Sequence, residues 1–472
     1  MTFSIHPGGI SRRQLLIAGT AAAAATALPL RAFADDLPVL DWWDVFGTLT
    51  DVHQEIWDAF AAEGKARVVY THTNPASAMQ SLQLAFRSGE LPDVYDMGGD
   101  PAQLAALYEA GWFAPMDGLV FDKPFQKDTL VEGQTVFDGK QCSLPIFSNL
   151  WHNDNLWYHA EAMSAAGGDV EAGVASWEDM RAIAAKATTG GKYGLLLPLQ
   201  FTTRMADMVI DMAMAAGAPG IFDPKTGEYA YASEPFVETI AFLMSFQKDG
   251  SLHPASSSLD ARQGRSRWAA GEALFFFDGP WNSGVLASSA PEVLDSSGVS
   301  NVPTPGGVPP IIGRGVQPGS FYMSGQSEHP ELVVELLQNL TTDDYYVAIA
   351  EGMDQPPLDL SAVERANVHP TYKTVVNNFS TTMVRLPDPL VANPSTAQVF
   401  SRMRTIEPGL GEIIQGAFAG AFSDVKPYLQ QYNDAMTAER ERAISAAKAD
   451  GFDVSADDWV FPNWVRGENY TG

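Results

Sequence analysis

The chain has 472 residues, 46% of them hydrophobic, and Asp and Glu outnumber Lys and Arg by 57 to 29. This length favours two or three domains over one and allows large hydrophobic cores. The formal net charge of -28 repels nucleic acid and anionic membranes, so we exclude a nucleic-acid-binding function.

Residues 1–34 are typical of an export signal and are set aside from the fold. Arg12 and Arg13 precede an Ala-rich apolar run, and Ala34 ends a small-x-small cleavage pattern. We interpret the segment as a twin-arginine signal cleaved after Ala34, although Leu15 stands where Phe is commoner. A Sec signal with incidental arginines and an uncleaved anchor are the alternatives, but the run is short for a membrane span.

Cys142 is the only cysteine, so no intrachain disulfide can form. It does not follow the signal segment and cannot serve there as a lipid-attachment residue. We expect it to be a buried small hydrophobic residue without a catalytic role, in a freely soluble periplasmic protein.

The first part of the mature chain alternates predicted strands with predicted helices, which indicates a parallel sheet covered by helices on both faces. The predicted strands are 39–43, 67–71, 94–97 and 193–199, and the predicted helices include 75–87, 101–110, 233–247 and one that starts at Pro330. Ser176 has the spacing of a capping box at the start of a further helix.

The stretch 267–284 organises the rest of the chain. Its apolar run, 273–277, is typical of a strand buried on both faces. The strand stops at Asp278-Gly279-Pro280, and the next side chain is Trp281. A buried strand that ends in a tight turn places that indole at the rim of a sheet, where ligands of open α/β sheets bind.

This stretch resembles the marker "G-x-A-(apolar run)-x-G-P-W" of the extracellular solute-binding proteins that serve ABC importers of sugars, the maltodextrin-binding type included. Further similarity lies in Ser88-Gly89 with Pro92-Asp93-Val94, in Asp138-Gly139-Lys140 with Pro145, and in His329-Pro330-Glu331. The resemblance implies an α/β fold with two lobes, each built on a mainly parallel sheet flanked by helices, and a ligand cleft between the lobes. It also implies that the tryptophan after Gly-Pro stacks on the bound sugar.

The family's crossovers predict two discontinuous lobes. Lobe 1 would comprise 35–145 plus 275–320, and lobe 2 would comprise 146–274 plus 321–472.

Aromatic residues at predicted strand ends are the strongest site signal, because the flat C–H faces of a pyranose pack against indoles while its hydroxyls need polar partners. Neighbouring strand residues point to opposite faces, so we expect Trp43 rather than Trp42 to face the cleft. Phe400 or Arg402 could add a contact from the C-terminal region. The predicted substrate-binding residues are Trp42, Trp43, Asp44, Asp96, Met97, Asn149, Trp151, Gln200, Phe201, Asp278, Trp281, Gly319, Ser320 and Phe321.

No nucleophile–base signature, P-loop or dinucleotide fingerprint occurs in the sequence. His152 and His159 flank Asp154, but structural metal sites usually show tighter ligand spacing. We therefore expect no catalytic residue, no metal and no cofactor.

The resemblance implies a periplasmic, monomeric component of a sugar importer that delivers its ligand to ABC permease subunits in the inner membrane. Two alternatives stay open. The same fold could bind a polyol, a polyamine or an organic acid, or the protein could be a secreted glycosidase with two cleft carboxylates.

Overall fold

The computed structural model describes residues 37–98, 104–316 and 318–471, so the export-signal prediction lies outside the described residues. The strands are β1 (Val39–Asp44), β2 (Arg67–His72), β3 (Val94–Tyr95), β4 (Val136–Phe137), β5 (Lys140–Gln141), β6 (Ser143–Leu144), β7 (Asn155–His159), β8 (Tyr193–Leu196), β9 (Ala273–Asp278), β10 (Ser297–Ser300), β11 (Ile312–Arg314), β12 (Phe321–Met323) and β13 (Met383–Arg385). The α-helices are α1 (Thr50–Ala62), α2 (Ala78–Ser88), α3 (Leu104–Glu109), α4 (Pro124–Lys127), α5 (Ala160–Ala165), α6 (Trp177–Ala187), α7 (Thr202–Ala215), α8 (Glu234–Lys248), α9 (Ala261–Ala269), α10 (Asn282–Ser289), α11 (Pro291–Asp295), α12 (Pro330–Gln338), α13 (Asp343–Gly352), α14 (Ala362–Arg365), α15 (Pro370–Thr382), α16 (Pro389–Ala392), α17 (Ala397–Phe400), α18 (Leu410–Phe418) and α19 (Lys426–Ala449). Short 3-10 helices occupy Gly47–Leu49, Pro254–Ser258, Asn339–Thr341, Pro394–Thr396 and Ala456–Trp459.

Lobe 1 is built on a five-stranded sheet in the order β2-β1-β3-β12-β6. β1 runs parallel to β2 and β3, whereas β12 runs antiparallel to β3 and β6. The period of two along β1 sends Trp42 into the core that contains Trp57 and Phe321, and Trp43 against the core on the other face. Both faces of the sheet are therefore covered.

Lobe 2 is built on a four-stranded sheet in the order β10-β7-β9-β8. β9 is parallel to β8 and antiparallel to β7. All six residues of β9 are buried, as its unbroken apolar run predicts. The helices α7, α8, α9 and α18 add residues to the core around this sheet.

The two sheets correct two predictions. Each sheet mixes parallel and antiparallel pairs and is not mainly parallel. β9 belongs to the second sheet, although 275–320 was assigned to lobe 1, and β12 belongs to the first, although 321–472 was assigned to lobe 2. An apolar run shows that a strand is buried on both faces, but it does not identify the strands that flank it.

The chain passes between the sheets at least twice, from β6 to β7 and from β10 to β12. It returns towards lobe 2 beyond α13, since α15 packs against β10. Each lobe is therefore assembled from separate pieces of the chain. Among the described residues, no helix has both the length and the apolar character that crossing a bilayer requires.

Candidate ligand-binding site

Asp278 is the electrostatic centre of the lobe 2 side of the site. It ends β9 with 1% of its surface exposed, and its carboxylate accepts two hydrogen bonds from Arg265, at 2.7 Å and 3.1 Å. Arg204 approaches the same carboxylate at 3.4 Å, and the backbone N–H of Gly279 donates at 2.9 Å. A buried carboxylate with this many charged and neutral donors is held in a fixed position.

Trp281 is oriented by that carboxylate. Its indole Nε1–H donates to Asp278 Oδ1 at 3.0 Å. The Arg204 guanidinium lies 5.4 Å from the Trp281 ring centroid, and Trp151 meets the Trp281 ring edge-on with centroids 5.7 Å apart. The half-buried Trp281 ring is thus held by one hydrogen bond, one cation–π contact and one aromatic contact. The structure brings together three of the predicted residues here: Trp151, Asp278 and Trp281.

Trp151 carries an unpaired donor beside this ring. Its Nε1 is buried, and no hydrogen-bond acceptor within the described part of the chain reaches it. A buried donor without an acceptor costs free energy unless water or a ligand satisfies it.

The lobe 1 residues Trp42, Asp44 and Phe321 lie in the core and not on an open surface, each with at most 1% of its surface exposed. The Trp42 and Phe321 rings meet edge-on, with centroids 4.7 Å apart. In the structure these three predicted contacts are therefore interior residues of lobe 1. Asp44 ends β1 and Phe321 begins β12, whereas Trp42 lies inside β1, and all three side chains point into the core.

The Asp44 carboxylate is fully occupied by its own lobe. It accepts from Trp42 Nε1 at 2.8 Å, from the Tyr70 hydroxyl at 2.8 Å and from the backbone N–H of Phe46 at 2.9 Å. Burial acts to raise the pKa of Asp44, but interactions with His53 and the hydrogen bonds from Trp42 and Tyr70 outweigh it and lower the pKa. Asp44 is therefore an ionised structural group.

Asp96 is the contrasting carboxyl of lobe 1. It has 8% of its surface exposed, and its Oδ1 accepts from the Gly98 backbone N–H at 2.7 Å. Burial raises the pKa of Asp96 to about 7, and the charge of Asp44 adds to the effect. Of the ion pairs among the described residues, none includes Asp96. It therefore lacks the positive partner that holds Asp278.

The remaining predicted residues occupy several positions. The Asn149 side-chain amide donates to the Gly315 carbonyl at 3.2 Å, and the Ser320 backbone N–H donates to the Leu144 carbonyl at 2.9 Å. Gly319 allows close strand approach, since a Cβ there would lie 2.3 Å from Ser143 Oγ. Met97 is buried in a lobe 1 core, and the half-buried Trp43 packs against the same core. Gln200 is exposed, and the half-buried Phe201 lies at the start of α7.

The sequence analysis missed the arginines Arg204 and Arg265 as partners of Asp278. Arg204 lies 74 positions from Asp278 in the chain, so only the fold could join them. Arg265 lies 13 positions before Asp278, on the helix that leads into β9. It is one of three arginines on that helix, and nothing in the sequence singles it out as the buried one.

A second buried cluster was also missed. Arg314 makes a bidentate ion pair with Asp211, at 2.5 Å and 2.7 Å. Burial, with the charge of Asp211, raises the pKa of the neighbouring Asp154 well above its usual range. Burial also lowers the pKa of His152 to about 3. His152 is thus neutral at pH 7.

The two histidines that suggested a metal do not converge on one point. His152 Nδ1 accepts from the Asp154 backbone N–H at 3.2 Å, whereas His159 Nε2 contacts the Trp268 carbonyl at 2.8 Å. Within the described residues, no group of three or more metal-binding side chains is found.

Comparison with known proteins identifies the family. Residues 47–347 match the model of the bacterial extracellular solute-binding proteins. The chain belongs to this family. Among curated proteins, no significant match is found.

Solved structures share the fold at low sequence identity. A solute-binding protein of an ABC transporter from Thermotoga lettingae, bound with alpha-D-tagatose, is 15% identical at a TM-score of 0.64. The aligned region covers 87% of this chain and 100% of the Thermotoga chain. The maltotriose-binding protein of Thermus thermophilus is 20% identical at a TM-score of 0.58, covering 86% and 100%. A solute-binding protein from Agrobacterium vitis with bound D-mannitol is 17% identical at a TM-score of 0.60, covering 86% and 99%. The resemblance stated from the sequence motifs is confirmed at the level of family and fold.

Proposed function

We propose that this solute-binding protein binds a carbohydrate between its two lobes and delivers it to an ABC permease. The main support is the arrangement around Trp281, whose half-buried indole is fixed by Asp278 beside the unpaired Nε1–H of Trp151. A flat apolar ring next to a donor that needs an acceptor suits a sugar, which offers C–H faces and hydroxyl oxygens together.

The charges at the site disfavour a phosphorylated ligand. Arg204 and Arg265 share the carboxylate of Asp278, and Arg314 is paired with Asp211. These arginines are therefore committed to buried aspartates. A ligand phosphate would have to compete with those ion pairs.

A polyamine is the second candidate, because Asp96 is a nearly buried carboxyl outside the ion pairs of the described chain. A ligand ammonium group would supply the missing positive charge and lower the pKa of Asp96. A polyol such as mannitol, which the Agrobacterium vitis protein binds, would use the same hydroxyl-binding groups as a sugar.

A thermal-shift screen of the mature chain from Asp35 tests these candidates, with maltotriose, tagatose, mannitol, spermidine and citrate as probes. A ligand at 100 times its Kd stabilises the folded state by about 2.7 kcal/mol. We expect a carbohydrate to raise the melting temperature and Trp281→Ala to abolish the rise. Trp177→Ala is the control, since Trp177 stacks on Phe242 within lobe 2 and its loss should leave the ligand-induced rise intact.

Other outcomes separate the alternatives. A rise with spermidine alone would favour the polyamine candidate. Consumption of a sugar during the incubation would overturn a pure binding function and favour a glycosidase.

We also propose that the protein is exported to the periplasm through a twin-arginine signal. We propose further that it is a monomer there. Replacing Arg12 and Arg13 with Lys should leave the precursor in the cytoplasm, since that route requires the arginine pair. Unimpaired export of the double variant, followed by immunoblotting of cell fractions, would overturn the twin-arginine assignment.

A further inference from the structure

One helix of lobe 2 reaches across to lobe 1. Arg262, in the first turn of α9, donates from Nη2 to the Thr73 carbonyl at 3.0 Å and to His72 Nε2 at 3.0 Å. His72 ends β2 in the sheet of lobe 1, whereas α9 packs on β9 in the sheet of lobe 2. The bonds of Arg262 therefore join the two lobes directly.

The same helix also anchors the candidate ligand-binding tryptophan. Arg265 follows Arg262 by three residues, so both side chains project from one side of α9. Arg265 binds the carboxylate of Asp278, and that carboxylate accepts the hydrogen bond of Trp281. The Trp281 ring is thus connected to the interlobe bonds of Arg262 through Asp278, Arg265 and the helix α9.

The start of α9 is itself well fixed. Asp260 caps the helix by accepting from the Gln263 backbone N–H at 2.8 Å, and the Gln263 side chain accepts in return from the Asp260 backbone N–H at 3.1 Å. A capped first turn holds the Arg262 backbone in place. The Arg262 guanidinium therefore contacts lobe 1 from a backbone position that the helix cap holds in place.

We propose that Arg262 is an interlobe latch, a positioning residue that stabilises the arrangement of the lobes in which α9 contacts the end of β2, without touching the ligand. This inference rests on the proposed function only for its biological meaning, since the contact itself needs no ligand. A ligand that fills the site beside Trp281 and the latch would favour the same arrangement, so their free energies would add.

The chemistry of His72 makes the latch depend on pH. A guanidinium can only donate, so the bond to Arg262 requires the lone pair of His72 Nε2 and a neutral ring. The Val45 carbonyl lies 3.3 Å from the same nitrogen and would accept from it once that nitrogen carries a proton. Burial and the charge of Arg262 lower the pKa of His72, while the Val45 carbonyl and Asp44 oppose this effect. Protonation of His72 would place two cations in contact and remove this bond, which would weaken the latch and leave only the bond from Arg262 to the Thr73 carbonyl. The other titratable groups that act on Arg262 are Arg265, Asp260 and Tyr70.

An interlobe distance measured without any ligand tests the latch. Spin labels attached through Ala59→Cys on α1 and Ala185→Cys on α6 would report the lobe separation in the full mature chain by pulsed electron resonance; both positions are exposed, whereas the native Cys142 is buried. We expect Arg262→Gln to shift the distance distribution to longer values, and Arg262→Lys to shift it less.

Arg267→Gln is the matched control, because Arg267 lies on the same helix but pairs with Glu272 inside lobe 2 at 3.0 Å. It should leave the distance unchanged. Lowering the pH from 8 to 5 should lengthen the wild-type distance, whereas His72→Gln, which keeps an acceptor at every pH, should remove that dependence.

An unchanged distance in Arg262→Gln would overturn the latch, whatever sugar the protein binds. A lengthened distance in a protein that binds no sugar would overturn the proposed function and leave the latch standing. The two ideas therefore fail separately.

Discussion

Each lobe ends a strand with an aspartate that accepts a hydrogen bond from a tryptophan indole. In lobe 1 the pair is Trp42 and Asp44, joined at 2.8 Å, and in lobe 2 it is Trp281 and Asp278, joined at 3.0 Å. Trp42 is 1% exposed, whereas Trp281 is half-buried. The same pair of side chains therefore builds a core in one lobe and a candidate binding surface in the other.

The surroundings of the two aspartates explain the difference. Asp44 is held by Trp42, Tyr70 and a backbone N–H, with His53 nearby. Asp278 is held by two arginines, Arg204 and Arg265, whose guanidinium groups contact its carboxylate. The comparison teaches that the indole two residues before the aspartate, inside β1, faces the core, whereas the indole three residues after the aspartate, beyond the turn that follows β9, reaches the surface.

The largest expected effect separates the two tryptophans by stability. Trp42→Ala should lower the free energy of unfolding by about 3–5 kcal/mol, because it removes a fully buried aromatic side chain. Trp281→Ala should lower it by about 1–2 kcal/mol, since less of its apolar surface is buried. Urea unfolding followed by circular dichroism measures both values. Equal losses in the two variants would show that Trp281 is a core residue, and the contrast between the lobes would disappear.

This contrast also shows what the sequence could reveal. The apolar run of β9, its turn and Trp281 were all predictable, because local chemistry determines each of them. For Trp42 and Trp43, strand periodicity shows that the two rings face opposite sides but not which side is buried, so the expectation that Trp43 rather than Trp42 faces the cleft did not follow from local chemistry alone.

Contacts between residues far apart in the chain could not be predicted from the sequence, for another reason. The pairing of β9 with β7 and β8 depends on the whole fold, and the approach of Arg204 to Asp278 depends on that pairing. The network of Asp154, Asp211 and Arg314 likewise joins segments far apart in the chain.

A second prediction concerns Asp96, which has no counterpart to the arginines of Asp278. Its pKa is about 7 in the folded protein and near 3.8 as a free side chain, so the folded state binds the proton more tightly. The contribution of the neutral Asp96 carboxyl to the free energy of unfolding is then fully present below about pH 4. It is lost as the pH rises towards 7, and the loss is on the order of 4 kcal/mol. Asp96→Asn stays neutral and should be more stable than the wild type at pH 8, with little difference at pH 4.

Unfolding curves collected between pH 4 and pH 8 measure this difference. Asp44→Asn is the comparison variant, since the lowered pKa of Asp44 stabilises the fold above pH 4 and this contribution is lost as the pH falls through the folded-state pKa. Its pH dependence should therefore have the opposite sign. Parallel curves for wild type and Asp96→Asn would show that Asp96 is already paired in solution.

The smallest expected effect tests how Asp44 is held. Tyr70→Phe removes the hydroxyl that donates to Asp44 at 2.8 Å, and should lower the free energy of unfolding by about 1–2 kcal/mol at pH 7. The loss is modest because Trp42 Nε1 and the Phe46 backbone N–H still donate to the carboxylate. With one donor fewer, the pKa of Asp44 should rise, and acid unfolding should begin at a higher pH.

Acid titration followed by tryptophan fluorescence measures that shift. A variant with an unchanged acid midpoint would mean that the other donors alone set the charge state of Asp44. Trp42 Nε1 and the Phe46 backbone N–H would then suffice to hold the Asp44 carboxylate without the Tyr70 hydroxyl.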